Sequence, residues 1–390
     1  MKKFFSILVM IITTFSIIGC KGTKQELEKL AILVAMGFDL SSEGKYMLTA
    51  QILNPKKQPS SSTDTKKGEN QQVSTDVTIY NTTGDTPADA LNHLSTELGK
   101  NLFFAHIKFL VYSERIAESG LSLALDSSLR TYTVRPDTPL FITKDRSSDI
   151  VSALTTDETI PANEIANLIK MQSIMGYSPI VRRVDFANIL HSKTAAPVLG
   201  IISLNKSPNV DNTFKMVGTA VLKKDKLIGY LDINQTRGMQ WVKGEVKGGS
   251  ITVHSSNNKI LTFEIIKSKS TIKPIIKNNS ITLQITIKEE GNLREMTADL
   301  DPIKNSEIMN DLSKIQDKAI EKEIKLALDA AQNKLNADIF DFGDIIHRTY
   351  PDIWKKMEKN WNDIFPYITV EIKVNSSLKR PGFISHPIIH

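Results

Sequence analysis

Ile281-Thr282-Leu283-Gln284-Ile285-Thr286-Ile287 puts an aliphatic side chain at every second position, the period of a strand with one face in a core and the other in water. The residues after it say what covers that face. From Ser306 to Asn336 apolar side chains recur at spacings near three and four, at Ile308, Leu312, Ile315, Ala319, Ile324, Leu328, Ala331 and Leu335. This spacing predicts one long amphipathic helix. A helix with a single apolar stripe must lay it on a partner, so the helix is expected to lie on the sheet that contains the strand. Phe342–Arg348 and Pro351–Trp361 read as shorter helices, the latter with proline in its first turn. Tyr367–Val374 returns as a strand. Residues 276–378 are therefore expected to form a β-α-α-α-β domain.

Upstream, residues 213–275 read as a strand-rich middle domain. Phe214–Leu222 and Leu227–Ile233 flank a Lys223-Lys224-Asp225-Lys226 turn, and Ile251–His254 and Ile260–Ile266 flank Asn257-Asn258, two hairpin patterns. Residues 20–197 alternate strands with helices, as a mixed α/β domain does. Ala31–Phe38 and Tyr46–Leu53 are expected to pair as a hairpin, and Val73–Tyr80, Leu102–Tyr112 and Pro139–Thr143 are further strands. Thr86-Pro87-Ala88-Asp89 supplies a helix cap, a first-turn proline and an early acid, and Leu91, Leu94 and Leu98 follow on one face. Helical patterns recur at Glu114–Glu118, Leu121–Leu129, Ser148–Leu154, Pro161–Met171 and Val184–His191. Asn54–Gln72 has no aliphatic or aromatic residue, so nothing in it offsets ordering entropy, and residues 54–72 are expected to be a mobile loop. The fold class expected is α+β or mixed α/β, in three consecutive domains.

The start of the chain is of another kind. Lys2-Lys3, an apolar run from Phe4 to Ile18 and small residues before Cys20 have the shape of a secretory signal, too short for a membrane-spanning helix. Residues 1–19 are expected to be removed. Cys20 is the one cysteine of 390 residues, and Ile17-Ile18-Gly19-Cys20 resembles a bacterial lipobox, which makes Cys20 the expected lipidation site. The remaining chain then has no thiol for a disulfide or a cysteine metal site, and depends on packing. The formal charge of +6 includes the two signal lysines. Lysines are spread along the chain without interleaved stacking aromatics, which argues against a nucleic-acid platform.

Four stretches together resemble the Ger(x)C family of spore germination proteins. They are the lipobox with Leu30–Val34 and Gly37-Phe38-Asp39; Phe104–Lys108 leading to Ser113–Gly120; Val217–Gly229 with Thr236-Arg237-Gly238 and Trp241; and Asp338–Gly343 through Pro351–Trp354, Trp361 and Val370–Val374 to Arg380-Pro381-Gly382. Lys21 departs from the family's usual tryptophan after the lipidated cysteine. The resemblance implies three mixed α/β domains in a row. It also implies a lipid-anchored C subunit of a nutrient germinant receptor on the outer face of the spore inner membrane, with integral membrane A and B subunits as partners. No nucleic acid and no cofactor are expected, and the nutrient is not specified.

Catalytic patterns are missing from the sequence. Its seven histidines have no metal-ligand spacing, and His106 reads as a structural histidine within a strand. Asp338, Asp341 and Asp344 would share a helical face, which invites a cation, although helix capping explains aspartates there as well. Gly176-Tyr177-Ser178-Pro179 lacks the second glycine of a nucleophile elbow. Trp354 and Trp361, seven apart, read as core anchors, and Gly218, Gly229 and Gly238 as backbone requirements. The expectation is a non-enzymatic protein. The alternatives are a solute-capturing lipoprotein of a transporter and a cell-wall hydrolase, the latter needing paired carboxylates or an activated nucleophile.

Overall fold

The computed structural model describes residues 27–54, 76–154, 158–207, 210–254, 259–277, 280–297 and 300–381. The expected signal, Cys20, and residues 55–72 of the expected loop lie outside them.

The first sheet begins with β1 (Leu30–Leu40) and β2 (Tyr46–Leu53), the antiparallel hairpin expected, to which β3 (Val77–Gly84) adds antiparallel. Helix α1 (Pro87–Leu98) starts as its sequence predicts: Thr86 Oγ1 accepts the Asp89 N–H at 3.1 Å, and Gly99 closes the helix at φ 58°. The single strand expected over 102–112 is two, β4 (Asn101–Phe103) and β5 (Phe109–Ser113). Both pair parallel with β1, Phe103 opposite Ile32 and Phe109 opposite Ala35. Between those points the second chain has more residues than β1 does, so Phe104–Lys108 turns out of the sheet. His106 is exposed there, tilted against Phe103 at 5.7 Å, and not part of a strand core.

Helices α2 (Glu114–Ser119) and α3 (Ser122–Arg130), β6 (Pro139–Thr143), α4 (Ser147–Ser152), α5 (Pro161–Met175), β7 (Val181–Arg182) and α6 (Arg183–Leu190) follow, and then β8 (Val198–Ser207), β9 (Val210–Lys223) and β10 (Lys226–Leu231). The sheet is ten-stranded, in the order β10-β9-β8-β6-β5-β1-β2-β3, with β4 on β1 and β7 on β6. The expected middle unit, 213–275, is thereby divided. Its first hairpin, β9–β10, is hydrogen-bonded into the first sheet, because β8, not foreseen as a strand, pairs parallel with β6 and antiparallel with β9.

Helix α7 (Ile233–Lys243) leads to the second sheet: β11 (Gly249–His254), β12 (Ile260–Lys277), β13 (Ser280–Met296) and, after the helices, β14 (Thr369–Arg380), in that order. Leu283, Ile285 and Ile287 of β13 are wholly buried. The long helix is α8 (Ser306–Asp329), extended by a wider π turn over Ala330–Leu335 to Asn336. It buries Leu312, Ile324, Leu328 and Ala331 against the sheet, and the Ser376 and Leu378 amides of β14 donate to its Asp317 and Ser313 side chains. Helices α9 (Phe342–Thr349), α10 (Pro351–Met357) and α11 (Trp361–Ile364) close the mixed α/β fold, the last unit being the β-α-α-α-β arrangement expected, with the helix expected over Pro351–Trp361 divided into α10 and α11. Trp354 and Trp361 are buried edge to face, centroids 5.2 Å apart. One contiguous set of buried side chains runs from Leu33 and Leu110 of the first sheet through Trp241 of α7 to Ile285 and Phe342.

Leu53 and Val77 are cross-strand partners, and the Asn54 N–H donates to the Asp76 carbonyl at 2.8 Å. The chain thus leaves the sheet after Asn54 and re-enters beside the same point. Replacing residues 55–75 by a short glycine-containing turn is expected to leave stability unchanged or raise it by about 1 kcal/mol through the shorter closure. Urea unfolding checks this, with a markedly lower midpoint as the contrary result.

Candidate functional site

The elements around α7 bring together the Thr236-Arg237-Gly238 stretch and Trp241. The helix is fixed at its start by a capping box: Asp232 Oδ1 accepts the Gln235 N–H at 2.8 Å, and Gln235 Oε1 accepts the Asp232 N–H at 2.9 Å. Residues 236–242 are all buried, so the helix has no polar stripe. It ends at Gly244, φ 72°, and Lys243 Nζ lies 3.4 Å from Asp341 Oδ2.

Gly238 faces α8 without a side chain. A Cβ there would sit 2.0 Å from the Glu323 carbonyl oxygen, so only glycine allows this approach. Arg237 Nε stands 3.5 Å from Glu323 Oε2, an ion pair longer than an ordinary hydrogen bond, between side chains 6% and 16% exposed. The Trp241 indole N–H donates to the same carboxylate at 2.8 Å. The guanidinium lies 5.3 Å from the Tyr177 ring and 5.9 Å from the Trp241 ring, within cation–π range, and donates to the Tyr177 hydroxyl at 3.3 Å. Burial pushes the Glu323 carboxyl above its ordinary value, against Arg237 and Trp241, which pull it down. On the other side of α7, the Thr236 and Thr219 hydroxyls are 2.9 Å apart, which ties the helix to β9. The cluster joins a loop and a strand of the first sheet to the long helix of the second. Its charges are matched to one another, and its chemistry is that of a clamp.

A second buried group lies under α8. Glu289 of β13 is 1% exposed, and neither carboxylate oxygen has a hydrogen-bond partner among the described residues. Burial lifts its carboxyl to about 7, against the nearby Ser376 and Gln316 side chains, while Asp317 and Glu290 add repulsion.

The three aspartates do not share a helical face. Asp338 precedes α9, buried, and accepts the Phe340 and Phe342 amides on Oδ1 at 3.2 and 3.0 Å and the Gly343 amide on Oδ2 at 2.9 Å. It caps the helix start, the capping role weighed above. Burial outweighs those donors and lifts its carboxyl to about 6. Asp341 has φ 63° just before α9, and Asp344 pairs with Arg348 at 3.0 Å. No group of three or more His, Cys, Asp or Glu placed to hold a metal occurs among the described residues.

A cleft of about 500 Å³ opens where loop 192–197, the β9–β10 turn and Asn336–Asp338 meet. Three of its charged lining residues are engaged in holding the fold: Asp225 accepts the Ser122 amide at 3.2 Å, Lys193 pairs with Glu358 at 2.8 Å, and Asp338 caps α9. No described helix is long and apolar enough to cross a membrane.

Two family models cover nearly all of the chain in order, "Spore germination protein N-terminal domain" over residues 23–204 and "Spore germination B3/GerAC like, C-terminal" over 217–382. The chain belongs to the GerAC-like spore germination family. Relatives in Bacillus subtilis (strain 168) match from end to end. Spore germination protein KC is 25% identical, with 100% of this chain and 98% of the relative covered. Spore germination protein B3 is 24% identical over 94% of each. The crystal structure of the GerBC protein superposes with a TM-score of 0.56 at 19% identity, covering 88% of this chain and 96% of that one, which places the two in one fold. The GerAC-like C-terminal model begins within β9 and contains α7 and Glu323, so the clamp lies mostly in that half and reaches into the N-terminal half through Tyr177.

Thr236-Arg237-Gly238 and Trp241, which carry part of the family likeness, lie on a helix with no apolar stripe in the sequence. Asp232-x-x-Gln235 is the signal that marks it.

Two consequences are measurable. Glu323→Ala leaves Arg237 buried without its counter-charge and is expected to cost about 3–5 kcal/mol in urea unfolding, whereas Arg237→Met with Glu323→Leu recovers most of it. Gly238→Ala, which drives a methyl group into backbone, is expected to cost at least about 2 kcal/mol. For Glu289, a folded-state value raised from 4.5 to about 7 means the folded chain binds the extra proton. Stability therefore falls as pH rises from about 4.5 to about 7 and is level above, a loss of up to about 3 kcal/mol. Glu289→Gln is expected to abolish that fall in a series of melts across pH. A slope unchanged in the variant contradicts the assignment.

Proposed function

We propose that this chain is the lipid-anchored, non-enzymatic C subunit of a spore nutrient germinant receptor, held at the outer face of the spore inner membrane by an acylated Cys20. It acts in the germination response by docking on integral membrane A and B subunits. The observation that carries this reading is the end-to-end match to spore germination proteins, with both family halves present in order. Two features support it. Asp338 caps a helix and Arg237 and Glu323 match each other's charge, as in a protein that binds and is held. Cys20 precedes the first residue of β1 by ten positions, a tether that spans at most about 35 Å when extended, which would keep the first sheet close to a bilayer. A diacyl anchor holds a protein stably where a single chain does not. The solute-capturing alternative gains nothing from the fold: the sheets have ten and four strands in different orders, unlike two similar lobes.

Spores carrying Cys20→Ser test the proposal. The variant is expected to fold, to leave the membrane fraction and to give a weakened response to nutrients. A variant still held by membranes at high salt, or germinating as the parent does, contradicts the anchor. Purified protein that turns over a metabolite by itself contradicts the non-enzymatic role.

A further inference from the structure

The lysines that look scattered in the sequence are gathered by strand register. On β12, β13 and β14 the side chains opposite α8 alternate with the buried ones. Lys269 is the cross-strand partner of Lys288, Thr271 of Thr286, and Thr286 in turn of Lys373. These partners share one face, and Lys269, Lys273, Lys288 and Lys373 are all exposed on it. Lys267 and Lys277 stand on it too, but are paired with Glu290 and Glu371. Lys269, Lys273, Lys288 and Lys373 have no carboxylate within ion-pair distance among the described residues. The face thus carries six lysines against two glutamates over about 30 Å of strand. Like charges placed directly opposite, as Lys269 and Lys288 are, destabilise a sheet. The arrangement costs stability in the free protein, and a negatively charged surface laid against it would relieve that cost.

We infer that this open lysine face of the second sheet docks on anionic lipid headgroups of a bilayer. The composition favours lipid over other polyanions. An acidic protein partner calls for an interface with arginine and aromatic anchors and few lysines at its centre, and single-stranded nucleic acid calls for stacking rings. The register puts Lys, Thr, Gln and Asn across the middle of this face, with neither arginine nor an aromatic ring among the cross-strand partners from 267 to 277. Point charges spread on a flat sheet suit a fluid surface of diffuse charge, where each lysine near the headgroups is worth about 1 kcal/mol, or about fivefold in affinity. The inference rests on the membrane-bound reading above for its setting and adds to it which surface of the protein faces the bilayer.

The test uses the full chain as cells process it, reconstituted in vesicles of phosphatidylcholine alone or with added phosphatidylglycerol, with a fluorophore at Thr271→Cys and nitroxide-bearing headgroups as quencher. Quenching is expected only with phosphatidylglycerol present, to decline as salt is raised, and to fall at least tenfold in apparent affinity in K269Q/K288Q/K373Q. That variant should melt no lower than the parent, since it removes repulsion. Equal quenching in both vesicle types, or none lost in the triple variant, overturns the inference, as does a lysine-dependent shift produced by soluble polyglutamate but not by phosphatidylglycerol vesicles. Failure of the anchor shows separately, as an unacylated intact mass and dye attached at Cys20.

Discussion

The contact of α7 with α8 is the constraint on which the arrangement of this chain depends. A buried arginine and a buried glutamate are costly to take out of water, and here the cost is borne where three elements must meet: the loop at Tyr177, the helix after the first sheet, and the long helix on the second. Arg237 lies between two aromatic rings, and Glu323 takes both the guanidinium and the Trp241 indole N–H. The missing side chain at Gly238 sets the helix separation. A looser approach would strand both charges, so the ion pair and the glycine specify the same geometry. Around them a single set of buried side chains is continuous across both sheets, which suits a chain whose one cysteine is claimed by the proposed anchor.

The same division of labour extends to the faces of the second sheet. One face is closed by α8, and Glu289 is sealed beneath it with a carboxyl raised toward neutrality. The other is left open with its lysines apart from most carboxylates. A strand with period two must put something on its outer face. In β12–β14 the charged residues there are six lysines against two glutamates, which gives the molecule a charged side that its modest net charge does not reveal.

Much of the fold was legible where one local rule acted alone. The alternation at 281–287, the heptad-like stripe of α8, the Thr86 cap and the β1–β2 and β9–β10 hairpins each follow from near neighbours in sequence. What was not legible depended on tertiary surroundings. Helix α7 is buried on all sides, so it has no stripe to read, and only its Asp232–Gln235 cap marks it. Strand β8 was missed, and with it the membership of the β9–β10 hairpin, because sheet pairing is a long-range property. Residues 102–112 looked like one strand, since the turn at Phe104–Lys108 is flanked by Phe103 and Phe109 and is set by the register against β1. The site residues divided in the same way. Trp354 and Trp361 were readable as anchors, and the aspartates as capping residues or a cation site. The clamp had no signal joining Arg237 to Glu323, eighty-six positions on.

If the α7–α8 clamp binds the two sheets into one cooperative unit, native-state hydrogen exchange in low urea reads it most directly. The amides of β5 in the first sheet and of β13 in the second should then exchange with one common opening free energy and one denaturant dependence. Separate opening free energies for the two sheets, with α7 following only one of them, would contradict the account.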